Sequence, residues 1–231
     1  MRVGIFTDPH YSSHEITDGK RYNSKSLGKI KDAYAYFINQ KCDLIVCLGD
    51  LIDTESTVEK EIENLKAISK IVNGVDIPTV CLMGNHDAFT LEVEDFYYIL
   101  GIDSPKDMLV DGKQLIFLDA CYFKNGNHYR PGDSNWTDTF YPFEKQLAEK
   151  LKNAKGEVYI FIHQNIDPAI APSHRLFNAD ALFKLINESG VVKTVFQGHY
   201  HAGKRSEYDG VNYIALPATC ERDDAIFIFD I

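Results

Sequence analysis

Short apolar runs rich in Val, Ile, Leu and Phe recur at residues 3–7, 44–48, 79–83, 115–118, 158–162, 193–196, 211–216 and 225–229, each bounded by Gly, Asp or Pro. Runs of this length and composition predict β-strands. Between the first three lie two stretches with helical period: Leu27, Ile30, Tyr34, Phe37 and Ile38, then Val58, Ile62, Leu65, Ile68 and Val72. Each has one apolar face. Ser56 and Glu59 have the spacing of a capping box for the second helix, and Asn73-Gly74 supplies its stop. The opening is therefore β-α-β-α-β, which requires parallel pairing and right-handed crossovers. Asp111-Gly112 and Asp209-Gly210 each separate two strand-like runs and predict tight hairpins, hence antiparallel pairing. An α/β sandwich of mixed sheets with helices outside satisfies both patterns.

With 231 residues, 45% of them hydrophobic, the chain can bury a large core, and a single domain spanning residues 1–231 is expected. The longest apolar runs are far shorter than the ~20 residues that span a bilayer, so no membrane segment is expected. The apolar stretch at residues 3–6 is cut off by Asp8, too short for a secretory signal. Five cysteines without a CxxC pair read as buried free thiols, which places the protein in a reducing cytoplasm. The net charge of −10 works against nucleic acid as a partner and favours a small phosphorylated substrate neutralised by metal ions.

The chemistry sits where the strands end. Asp8 and His10 follow the first run, Gly49-Asp50 and Asp53 the second, Gly84-Asn85-His86-Asp87 the third, His163 the fifth and Gly198-His199-Tyr200-His201 the sixth. Ligands of α/β sheets bind beyond the carboxyl ends of the strands, so these clusters can converge on one place. Singly, each has an ordinary reading: Gly, Asn and Asp are turn formers, and an isolated His at a strand end is more often structural. Gly-His-x-His is the most informative block, with two imidazoles that can reach adjacent metal ions after a sharp turn at glycine. All five in order make a joint site the simpler reading.

These blocks resemble the calcineurin-like metallophosphoesterases, from Met1 to about Leu216. Arg21-Tyr22, Ser26-Leu27 and the helix leading into residues 42–53 resemble, more narrowly, the manganese-dependent ADP-ribose/CDP-alcohol diphosphatase branch, although that branch commonly has Gln where His10 stands. The resemblance implies a four-layer α/β/β/α sandwich with two mixed β-sheets. It also implies one metal held by Asp8, His10, Asp50 and His201 and a second by Asp50, Asn85, His163 and His199. Asp50 would bridge, offering one oxygen to each of two cations ~3.5–4 Å apart that share a hydroxide. The donor set suits transition metals such as Mn, Fe or Zn better than Ca or Mg.

By the same resemblance Asn85 and His86 contact the phosphoryl group, and His86 protonates the leaving alkoxide with Asp87 orienting its ring. Asp87 has a second reading as the N-cap of a helix after Ala88. Asp53 is expected to act behind the ligands or as a cap. The long segment 121–141, with Tyr122, Phe123, His128, Tyr129, Arg130 and Trp136, is expected to form a substrate wall in which Tyr129 or Trp136 stacks on a base. His14, His128 and His174 lack motif partners and are expected to face solvent. The function implied is hydrolysis of a small phosphodiester, phosphomonoester or nucleoside-diphosphate-linked compound. The competing readings are a protein-binding scaffold that has lost catalysis and a DNA-end nuclease. The full ligand set disfavours the first and the acidic balance the second.

Overall fold

Alternation along the first strand sets the architecture. In the computed structural model, which describes residues 1–130 and 139–231, β1 (Arg2–Phe6) turns Val3 and Ile5 to one side and Gly4 and Phe6 to the other. Gly4 lies so close to the Phe37 ring that an added Cβ would stand 2.5 Å from it. That close approach lets α1 (Ser26–Asn39) settle on the sheet through Ile30, Ala33, Tyr34 and Phe37.

The chain continues through β2 (Leu44–Cys47), α2 (Val58–Val72), β3 (Thr79–Cys81), α3 (Asn85–Thr90) and α4 (Val93–Leu100). Next come β4 (Met108–Val110), β5 (Lys113–Leu118), α5 (Glu144–Asn153), β6 (Val158–Ile162), α6 (Ala179–Glu188) and β7 (Val192–Gln197). It closes with β8 (Lys204–Tyr208), β9 (Val211–Ala215) and β10 (Ile226–Asp230). The strands form a four-stranded sheet, β10-β1-β2-β3, and a six-stranded sheet, β4-β5-β6-β7-β9-β8. As expected, β1, β2 and β3 pair in parallel. In the second sheet β5, β6, β7 and β9 are parallel, with β4 and β8 antiparallel at the edges.

Three apolar clusters among the described residues fill the spaces between four layers. α1, α2 and α4 cover one sheet, α5 and α6 cover the other, and the two sheets pack face to face. In that middle layer Phe117, Phe161 and Phe196 stand in register on β5, β6 and β7 and stack with centroids 5.0 Å apart at each step. Phe229 of β10 meets Phe196 edge-on at 4.7 Å, joining the sheets. This is the four-layer α/β/β/α sandwich with two mixed sheets.

Both Asp-Gly hairpins form, with Asp111, Gly112, Asp209 and Gly210 all at positive φ, the conformation a two-residue I′ turn demands. The start of α2 differs by one residue from the sequence reading: Thr57, not Ser56, is the N-cap, accepting from the Lys60 N–H. α3 and α4 are too short, and α5 buries too few residues, for their period to stand out in sequence. Among the described residues no helix is long and apolar enough to cross a membrane. All five cysteines are free and buried.

Candidate metal centre

The parallel strands of both sheets deliver their carboxyl ends to one edge, and the chain there is bent into unusual backbone. Asp8, His10, Asp50 and His199 all adopt positive φ, between 45° and 61°, a strained choice for side chains other than glycine. Glycines permit the crowding: a Cβ on Gly49 would stand 2.8 Å from both the Gly84 nitrogen and the His163 Nδ1 atom. A Cβ on Gly84 would collide with the Asp50 carboxylate, and one on Gly198 with Thr7 and Asp8. These glycines therefore serve close approach as well as turning.

The crowding brings together every residue expected as a ligand. Asp8, His10 and His201 form one group, and Asp50, His163 and His199 another, each with donor atoms within 4.8 Å of one another. His10 Nε2 stands 3.2 Å from His201 Nε2, and His201 Nε2 stands 3.3 Å from Asp8 Oδ1. On the other side His163 Nε2 lies 3.2 Å from Asn85 Oδ1. Asp50 faces both groups through a single oxygen, with Oδ2 3.4 Å from His10 Nε2 and 3.2 Å from His163 Nε2. Its Oδ1 is already engaged by the His86 N–H at 2.8 Å.

Neighbours aim each donor. Asp8 Oδ2 accepts from the Thr7 hydroxyl and the His199 N–H, whereas the buried Oδ1 has no hydrogen-bond partner among the described residues. His163 Nδ1 donates to the Leu48 carbonyl at 2.9 Å, which fixes its tautomer with Nε2 toward Asp50. His201 Nδ1 donates to Glu221 at 2.6 Å. Sequence reasoning missed Glu221, Thr7 and Asn23, whose amide ties the His10 carbonyl to Asp53.

The electrostatics show how closely the carboxylates and imidazoles of the two groups are coupled. Burial works to raise the Asp8 and Asp50 carboxyls, but the surrounding histidines outweigh it and hold both well below the usual range. Burial lowers His163, yet Asp50 and Asp8 outweigh it and lift the ring to about 9. Burial and the charge of His163 push His199 down to about 3. A buried carboxylate oxygen without a hydrogen-bond partner, beside two imidazole nitrogens 3.2 Å apart, is a donor set that transition-metal ions fit.

The sequence model of the calcineurin-like phosphoesterases matches residues 1–203. The chain belongs to that family. A probable cyclic nucleotide phosphodiesterase of Psychrobacter arcticus is 27% identical, over 95% of this chain and 80% of its own length. A 3',5'-cyclic adenosine monophosphate phosphodiesterase of Haemophilus influenzae is 25% identical, over 93% of this chain and 74% of its own length. The crystal structure of a dimetal phosphatase from Danio rerio has the same fold, with a TM-score of 0.81 at 17% identity over 95% of this chain and 88% of that one. The protein is thus a calcineurin-like phosphoesterase with clusters of Asp and His able to hold metal ions.

Within this phosphoesterase, the partner of the His86 ring is Asp53, with Nδ1 and Oδ1 3.0 Å apart. Both Asp87 oxygens are engaged elsewhere. Its carboxylate accepts from the Gly84 and Ile52 N–H groups, the first of these at the start of α3, so Asp87 lies inside that helix and is not the N-cap of a later one. Burial, together with the charge of Asp50, pushes Asp87 up to about 7.

A cavity of about 300 Å³ opens over the centre, lined by Asp50, Asn85, His86, His199, Tyr200 and His201, with Lys20, Arg21 and Arg175 also in its lining. His174 is exposed, as expected, but it also lines this cavity. His14 is exposed as expected. His128 does not face solvent: its Nε2 meets Asp119 at 3.0 Å and its Nδ1 the Tyr129 carbonyl at 2.9 Å. Tyr129 is buried in the apolar cluster beneath α1, α2 and α4, against Phe123, and cannot stack on a ligand. Trp136 lies outside the described residues.

Proposed function

We propose that this phosphoesterase hydrolyses a small phosphodiester at a dinuclear centre, with Asp8, His10, Asp50 and His201 holding one metal ion and Asp50, Asn85, His163 and His199 the other. The observation that carries the reading is the position of Asp50 Oδ2 between His10 and His163, which makes one oxygen common to two donor groups. Cations bound there would stabilise charge on the phosphoryl oxygens and activate water.

The chain's own residues account for the rest. Asn85 and His86 reach the cavity from the start of α3 and contact the phosphoryl group. Asp53 holds the His86 ring through Nδ1, so that the other ring nitrogen can deliver a proton to the departing oxygen. The cavity of about 300 Å³ over the centre suits a compact ester, and the names of the two bacterial relatives make a cyclic nucleotide the first substrate to test. A second reading, a nucleoside-diphosphate-linked substrate of the ADP-ribose/CDP-alcohol type, is favoured by Lys20, Arg21 and Arg175 around the cavity, cations that each also meet a carboxylate, Glu221, Asp53 and Asp180, and that a second phosphate could engage. The acidic chain and the intact ligand set still speak against a nuclease and a catalytically silent scaffold.

The test is metal analysis after reconstitution with Mn²⁺, combined with turnover of cyclic nucleotides, nucleotide diphosphate esters and phosphomonoesters. Two ions per chain in the parent, reduced in Asp50→Ala, are expected. Zero uptake, or uptake unchanged in Asp50→Ala, sinks the dinuclear reading, and the preferred substrate decides between diester and anhydride.

A further inference from the structure

The segment between β6 and α6 contributes Ser173, His174 and Arg175 to the lining of the cavity. There His174, at the end of a single 3₁₀ turn (Pro172–His174), packs edge-on against Tyr200, with ring centroids 5.3 Å apart and planes at 80°. The His174 ring also lies 6.1 Å from that of His199, so the pair starts one ring's width from the metal centre. Tyr200 belongs to none of the three apolar clusters, and both rings line the cavity. Covering a core edge, the ordinary role of surface aromatics, therefore does not explain Tyr200.

Their placement is fixed from inside the protein. Asn165, fully buried just after His163, donates from one amide to the His174 carbonyl at 3.3 Å and to the Gly198 carbonyl at 3.1 Å. One side chain thus ties the turn bearing His174 to the glycine that opens the Gly-His-Tyr-His segment. The Arg175 backbone bridges to Asn165 and the Leu176 N–H donates to the Asn165 carbonyl at 3.0 Å, closing the same link. A surface turn anchored in this way keeps its side chains at a fixed distance from the strand ends.

We propose that His174 and Tyr200 are the specificity-determining wall of this phosphoesterase, and that they recognise the planar base of a nucleotide whose phosphate sits at the metal centre. The proposal rests on the phosphodiesterase reading above and narrows its substrate to nucleotides. It assigns to the segment after β6 the role that the aromatic side chains of residues 121–141 were expected to play. The metal centre acts on any phosphoryl group and discriminates little, so an adjacent π-surface is where a base adds affinity without altering the reacting atoms.

The test reads binding, not turnover. Calorimetric titration of the Mn²⁺-loaded protein with 5′-AMP and with ribose 5-phosphate isolates the contribution of the base. The parent should prefer AMP by about 5- to 100-fold, the range stacking provides. His174→Ala with Tyr200→Leu should abolish that preference and leave ribose 5-phosphate affinity unchanged, whereas His174→Phe should retain it. Equal affinities in the parent, a preference that survives the double substitution, or equal losses for both ligands would each overturn the proposal. Failure of the phosphodiesterase reading shows separately, as absent turnover of every diester.

Discussion

Asp53 Oδ1 sits 3.0 Å from Nδ1 of His86, while Asn23 donates to the other Asp53 oxygen at 2.9 Å and Arg21 approaches that oxygen at 3.6 Å. The carboxylate is thereby locked in place behind the ring. Burial works to raise its pKa, but the hydrogen bond and charge of His86 prevail and hold it far below the usual carboxylate range. A carboxylate held in this way is a ready acceptor for the N–H at His86 Nδ1.

Removing that lock should separate positioning from proton delivery. His86→Ala is expected to keep its metal and lose about 10²- to 10⁴-fold in kcat, the usual contribution of a general acid. Asp53→Asn, which keeps the shape but weakens the pairing, should lose about 10- to 100-fold. Both losses should shrink for esters of acidic leaving groups such as nitrophenolate, which need little protonation. Rates depressed equally for good and poor leaving groups would assign His86 to phosphate binding instead.

Glu221 offers an independent handle on the metals. Its Oε1 accepts a hydrogen bond from His201 Nδ1 at 2.6 Å and meets Lys20 at 3.2 Å, so it orients the ring and raises the basicity of Nε2. Glu221→Ala should weaken metal binding about 10- to 100-fold, measured by chelator competition, with Glu221→Gln falling between it and the parent. Unchanged affinity in the alanine variant would remove Glu221 from the centre.

The positions expected as ligands stood out in the sequence because they follow the ends of apolar strands, where local pattern and sheet geometry coincide. Asp8, Asp50 and His163 are polar residues directly beyond buried runs, and the parallel order of β1-β2-β3 and β5-β6-β7 sends those ends to one edge. Their helpers were not legible. Glu221 reaches His201 only because the chain after β9 folds back, and nothing in its neighbourhood marks it. Asp53 and Asp87 were both in view, but the closer residue in sequence spends its carboxylate on the Gly84 and Ile52 N–H groups, and the more distant one holds the ring. Tyr129 reads as a loop aromatic and is a core residue, because the turn at residues 122–128 pulls it inward.

Gly4 gives a stability test away from the chemistry. An alanine there would place Cβ 2.5 to 2.8 Å from three atoms of the Phe37 ring, and both β1 and α1 are fixed by the core around them. Overpacking of this kind costs about 1–3 kcal/mol. Denaturant unfolding of Gly4→Ala should show that loss, and Phe37→Leu in the same chain should recover part of it. Additive destabilisation by the two changes would mean the clash is relieved elsewhere.

His128 supplies the pH dependence. Both of its ring nitrogens face acceptors, Asp119 at 3.0 Å and the Tyr129 carbonyl at 2.9 Å, which only the doubly protonated ring satisfies. Burial works to lower its pKa, but Asp119, the carbonyl and Glu92 prevail and leave it raised above its ordinary 6.5. A raised histidine stabilises the folded state fully below its unfolded pKa, and that contribution disappears as pH rises through the folded value. Asp119 is about a third exposed, at 34%, so solvent screens the pair and its worth is about 1 kcal/mol rather than the full strength of a buried charged hydrogen bond. His128→Gln should therefore be less stable than the parent by about that amount near pH 5.5, with the gap closing as pH rises from about 6.5 through the folded pKa. Denaturant unfolding of both proteins across pH 5 to 9 measures the difference, and the ligand histidines cancel because they are common to the two chains. A gap that stays constant, or widens with pH, would show that His128 is neutral in the folded protein and acts by packing against Tyr122 alone.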